Sequence, residues 1–127
     1  DMIFEQTQRT PFVEISSKAC IIRGECYPEN ISEWSEPVLE ALEVAMKLEN
    51  ASFEVQIELY YFNSSSAKFL FDFFEYLEVT AEAGRDIAVR WLYRAEDDTM
   101  LEAGEDFQED LETCTYELVQ IQNEQIS

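Results

Sequence analysis

The clearest signal along the chain is an alternation with a period of two residues. Across residues 53–62, Phe53, Val55, Ile57 and Leu59 alternate with Glu54, Gln56 and Glu58. That is the pattern of a strand with one covered face and one wet face. A parallel sheet buried on both sides would not show it. Residues 12–16 and 19–25 read as shorter strands joined by a turn at Ser16, Ser17 and Lys18. In residues 87–93, Ile87, Val89, Trp91 and Tyr93 share one side, and residues 116–121 read as a closing strand.

Between these strands the period becomes helical. Over residues 33–48, Trp34, Val38, Leu42, Ala45 and Leu48 recur at helical spacing, with Asn30 or Ser32 as cap and Asn50 as stop. Pro37 suits a first turn beginning near Ser35 and otherwise kinks the helix. Over residues 64–82, Phe69, Leu70, Phe73, Phe74 and Leu77 form a broad apolar face opposite Lys68, Asp72, Glu75 and Glu78, and Gly84 marks the end. A stripe so rich in Phe reads as core, as do Trp34 and Trp91. Residues 96–111 form an acidic helix built on Met100, Leu101, Phe107 and Leu111, with Gly104 weakening its middle. The order is β-β-α-β-α-β-α-β, and each strand–helix–strand passage implies a right-handed crossover. The expected fold is α/β: one domain over residues 1–127, with a mixed five-stranded sheet, helices mainly on one face, and residues 1–10 loose.

Composition narrows the function. With 46% hydrophobic residues the chain can bury a core. Its 28 acids against 8 bases give a net charge of −20. That argues against nucleic acid, whose phosphates require clustered Lys and Arg, and against anionic membrane surfaces. A basic protein patch is the more natural partner, and solubility is the plainer role for the charge. No secretory leader is visible and no apolar run approaches membrane-spanning length, so the expected location is cytoplasmic. Cys20, Cys26 and Cys114 show no C-x-x-C spacing, and histidine is absent. A disulfide framework and a His-containing zinc site are therefore not expected, and Cys20 and Cys26 read as reduced, small apolar residues. No cofactor is expected; the three glycines form no phosphate-cradling loop.

Candidate chemistry concentrates where a strand meets three hydroxyls, Ser64, Ser65 and Ser66. Ser65 and Lys68 match S-x-x-K, in which a lysine one turn on can activate a serine, but the partner motifs S-D-N and K-T-G are missing. Asp97, Asp98, Glu102, Glu105, Asp106, Glu109 and Asp110 could attract a divalent cation, yet they lack the glycine-bearing calcium loop and read as a solvated helix face. The serines can cap the helix by accepting a backbone N–H bond. They can also accept a phosphate, which free N–H groups and the positive helix end would tolerate, with Lys68 one turn in. Both readings stay open on chemistry alone.

Four stretches carry a resemblance: GECYPEN at residues 24–30, YFNSSSAK at 61–68, GRDIAVRWLY at 84–93 and DDTMLEAGEDF at 97–107. Their order and spacing resemble the SiaC-type regulatory phosphoproteins over residues 10–121. The resemblance implies a STAS-like fold and a partner-switching protein, not an enzyme. It implies a dedicated kinase, a PP2C-type phosphatase, and an unphosphorylated form that binds and activates a diguanylate cyclase, promoting cyclic-di-GMP signalling and biofilm formation. The family's acceptor is the threonine after Asn in Y-[FL]-N-T-S-S; the matching position here is Ser64, after Asn63. Ser65 and Ser66 match family serines as back-up acceptors. Asn63, Ser65, Ser66, Lys68, Tyr27, Pro28, Glu29 and Asn30 form the expected phosphate and partner surface, on which Glu29 and Asn30 could hydrogen-bond a neighbouring loop.

Overall fold

The computed structural model describes residues 1–48 and 52–122; Asn50, the expected stop of the first helix, lies outside them. The elements run β1 (Met2–Phe4), β2 (Phe12–Ile15), β3 (Ala19–Cys26), α1 (Ile31–Lys47), β4 (Ser52–Phe62), α2 (Ser64–Glu82), β5 (Asp86–Arg94), α3 (Asp98–Gln108) and β6 (Thr115–Ile121). They build a mixed α/β fold whose sheet follows chain order from β1 to β6. β1, β2 and β3 are antiparallel neighbours, whereas β3, β4, β5 and β6 are parallel.

The sheet has six strands, not five. The extra one, β1, lies in the stretch expected to be loose and pairs Ile3 with Glu14. Three residues are too few to display an alternation, so only the pairing reveals it. Three right-handed crossovers that all step the same way across the sheet put α1, α2 and α3 on one face. Along β4, Phe53, Val55, Ile57 and Leu59 face the helices and are buried, while Glu54, Gln56 and Glu58 face the open side. Phe69, Leu70, Phe73, Phe74 and Leu77 of α2 fill the core against them. In α1, Val38, Leu42 and Ala45 are buried, but Leu48 falls past the helix end and is half exposed. The helix starts four residues before Ser35 and runs through Pro37, an exposed residue. The carbonyl that loses its N–H partner there belongs to exposed Glu33, where water can satisfy it.

Gly104 has a structural role inside α3. A Cβ at this position would lie 2.5 Å from Trp91 Cδ1 and 2.7 Å from Leu118 Cδ2. The missing side chain lets the helix backbone come down onto the sheet. Two sheet aromatics then donate to it: Trp91 Nε1 to the Met100 carbonyl at 2.9 Å and the Tyr116 hydroxyl to the Gly104 carbonyl at 2.8 Å. Glu78 of α2 staples the turn between α3 and β6 by accepting the backbone N–H groups of Glu112, Thr113 and Cys114 at 2.9–3.2 Å. The three cysteines are free and buried. Desolvation alone pushes the Cys20 thiol up to about 12.

Gly104→Ala should destabilise the protein by about 1–3 kcal/mol through overpacking, read by chemical denaturation; an unchanged midpoint would contradict this seating of α3. Burial raises the Glu78 pKa, but the donors from Thr113, Cys114 and Glu112 outweigh it and hold the carboxyl below its ordinary 4.5. A depressed carboxylate stabilises the fold above its unfolded pKa, and that contribution is lost as pH falls through the folded value. Glu78→Gln should therefore lower Tm at pH 7, and its deficit relative to wild type should shrink in acid.

Candidate functional site

The C-terminal ends of parallel strands share one edge of a sheet, and here each of the first three feeds a helix. β3 ends at Cys26, β4 at Phe62 and β5 at Arg94, followed by α1, α2 and α3. The caps are Asn30, Asn63 and Asp97, whose side chains accept first-turn N–H groups. Three positive helix ends therefore gather along this edge.

The GECYPEN and YFNSSSAK stretches meet there. Cys26 pairs with Phe62 in the β3–β4 ladder, and the Asn63 N–H donates to the Cys26 carbonyl at 3.3 Å. The ladder slips between Gly24 and Glu25: Gly24 pairs with Leu59, but Glu25 pairs with Tyr61, leaving Tyr60 as an extra residue. Gly24 sits at φ +132°, a conformation side chains disfavour, with Pro11 Cα only 3.3 Å from where its Cβ would be. The bulge breaks the alternation. Tyr61 would otherwise face the core; instead it is exposed and meets Tyr27 edge to face, ring centroids 5.6 Å apart. Phe62 turns inward against Phe107.

A neighbouring loop does reach this motif. Arg9 accepts the Tyr27 N–H on its carbonyl at 2.7 Å, lies 5.8 Å from the centre of the Tyr27 ring and pairs with Glu29 at 3.6 Å. Asn30 turns to its own helix, accepting from Ser32 and Glu33 at 3.1 and 3.3 Å. Pro28, Glu29, Asn30, Glu33, Trp34 and Arg9 outline a shallow depression beside it. Trp34 is only half buried, packed edge to face on Phe69, whereas Trp91 is fully buried.

None of the three serines caps α2. Asn63 is the cap, its Oδ1 accepting the Ser66 N–H at 3.0 Å and its carbonyl the Ala67 N–H at 2.9 Å. Ser64, Ser65 and Ser66 are the first three helical residues, and the N–H groups of Ser64 and Ser65 belong to the helix end that lacks intrahelical partners. Ser64 and Ser65 are exposed, but Ser66 is fully buried. Its hydroxyl forms no hydrogen bond of ordinary geometry and acts on the neighbouring Cys26 thiol, tempering the upward push of burial on that group. A hydroxyl sealed in this way offers no approach to a kinase, whereas that of Ser65 is on an exposed residue. Lys68 extends into solvent and pairs with Asp72 at 3.2 Å, one turn further from the serines. Its partner in this arrangement is the Asp72 carboxylate and not Ser65, so the S-x-x-K pairing is not formed here.

Sequence reasoning missed Arg9 and Tyr61. Arg9 lies in a stretch without periodicity. Tyr61 follows a bulge whose one local sign is Gly24, on the opposite strand.

Replacing the Asn63 cap by Ala should cost about 1 kcal/mol of stability, while Asn63→Asp, which keeps an acceptor, should cost less; equal losses measured by denaturation would mean the cap is not the cause.

Comparisons with known proteins match nearly the whole chain. The sequence pattern of the SiaC family of regulatory phosphoproteins matches residues 4–121. An uncharacterized protein of Pseudomonas aeruginosa strain UCBPP-PA14 is 30% identical over 112 residues, which is 87% of this chain and 89% of that protein. The crystal structure of apo-SiaC from Pseudomonas aeruginosa superposes with a TM-score of 0.83 at 26% identity, covering 94% of this chain and 98% of that one. SiaC in its complex with the diguanylate cyclase SiaD, of which it is the activator, gives 0.85 at 27% identity, covering 93% and 99%. Among the described residues no helix is long and apolar enough to cross a membrane.

Proposed function

The chain belongs to the SiaC family of regulatory phosphoproteins, and from that premise we propose that Ser64 is its phosphorylation switch and that the surface around it is the partner-binding face. The protein is a regulator, not an enzyme. In this reading residues 1–127 act as one unit in the cytoplasm, a kinase and a PP2C-type phosphatase set the state of Ser64, and the unphosphorylated form binds and activates a diguanylate cyclase. The pairing of Pseudomonas SiaC with its cyclase supports the choice of partner.

The observation that carries the reading is the position of Ser64: the exposed first residue of α2, one residue from the end of β4 and three residues after Tyr61, whose ring meets Tyr27 edge to face. Phosphate there adds a charge of about −1.5 to −2. The helix end tolerates it, because unpaired N–H groups and the dipole favour an anion and Asn63 has already secured the cap. The fold therefore does not need to change. What changes is the partner's side of the contact. A surface that receives a neutral hydroxyl must now strip water from a dianion on a protein that already carries −20. A hundredfold loss of affinity requires only about 2.7 kcal/mol.

Incubated with its cognate kinase, wild type should take up phosphate, Ser64→Ala should not, and Ser65→Ala should. Phosphorylated protein should bind the cyclase at least about a hundredfold more weakly than Ser64→Ala. Equal labelling of Ser64→Ala and wild type would remove Ser64 as the acceptor, and equal affinity of the two phosphorylation states would remove the switch.

A further inference from the structure

We propose that the groove along the outer face of α2 docks a basic, amphipathic helical segment of a partner protein, at a place distinct from Ser64. Phe71, Glu75, Glu78, Val79 and Glu82 of α2 line it with Asp110, enclosing about 360 Å³. Successive helical residues turn by about 100°, so the five α2 positions fall within one stripe roughly 100° wide.

Three observations select the occupant. Phe71 and Val79 are 44% and 56% exposed, large apolar side chains on a helix whose other face already fills the core. They call for an apolar partner. Every ionisable group lining the groove is a carboxylate, and residues 71–82 and 98–112 together carry eleven acids and no base. Among the described residues no group of three carboxylates is placed to hold a metal ion, so the field suits cations spread along a segment, not a single bound ion. The walls are also held in place. The Phe71 ring packs edge to face on Phe107 at 4.7 Å, and Glu78 is fixed by its three backbone donors. A groove built in advance spares the partner an ordering penalty.

Size follows from the spacing. Phe71 and Val79 are eight residues apart, about 12 Å along the helix. A segment of two to three turns, with apolar residues facing Phe71 and Val79 and Lys or Arg flanking them, lies along the groove and places its apolar side chains in it.

The test uses a labelled Leu/Lys amphipathic peptide of about four turns, titrated by fluorescence anisotropy, with backbone amide shifts mapping the contact. Binding should centre on α2 residues 71–82, and Val79→Ser, which removes an exposed side chain, should weaken it. Phe71→Ser with Val79→Ser should weaken it about tenfold or more. Glu75→Gln with Glu82→Gln should weaken it more than the charge-matched pair Glu36→Gln with Glu43→Gln on α1. Equal effects of the two charge pairs, shifts centred elsewhere, or indifference to Val79→Ser would each overturn the proposal. Ser64→Ala should bind the peptide like wild type, so a failure here leaves the phosphorylation switch standing.

Discussion

The parallel pairing of β3 with β4 is the constraint on which the functional edge depends. It sets Cys26 beside Phe62 and lets the Asn63 N–H reach the Cys26 carbonyl. Two segments more than thirty residues apart in the chain thereby become one surface. Because a parallel partner must be reached by a crossover, the same pairing forces α1 over the sheet and starts it at the edge from which α2 starts. The single residue between β4 and α2 leaves Ser64 no freedom: it must be the first helical residue, at the positive end of the helix.

A second layer of constraint runs through α3. Its backbone touches the sheet at Gly104, its carbonyls take hydrogen bonds from Trp91 and Tyr116, and Phe107 stacks among Phe62, Phe71, Phe74 and Trp91. This aromatic cluster links the edge that carries Ser64, through Phe62, to the acidic groove, through Phe71. Burial raises the pKa of Tyr116, so its hydroxyl remains a donor.

Acidic charge is spread along the chain: the three helices carry twelve of the 28 acids, and the other sixteen, among them Glu14, Glu25, Glu54, Glu58, Asp86 and Glu117 of the strands, lie outside them. On such a body a phosphate is a small change in total charge. Its leverage comes from location: a few water-binding oxygens at a contact discriminate partners where the same charge on a solvated helix face would not.

Much of this was legible in the chain itself. The alternation in β4 and the helical period of α2 were strong because each element buries one face of a thick apolar layer, which imposes its period on the residues. The two-sided character of the sheet followed from the same rule, and the hand of the crossovers from the right-handed twist of its strands. The location of the candidate hydroxyl was legible too, since a strand, an Asn cap and a helix follow each other without a gap. Tertiary structure decided the rest. Which serine is reachable depends on what lies over it, and only packing against the Cys26 region seals Ser66. The three-residue β1 exists because β2 offers it an edge. Tyr61 faces out because a bulge shifts the β3–β4 register. Period and propensity act between neighbours in the chain, whereas exposure and pairing are set by residues that are distant in sequence and meet only once the sheet has formed.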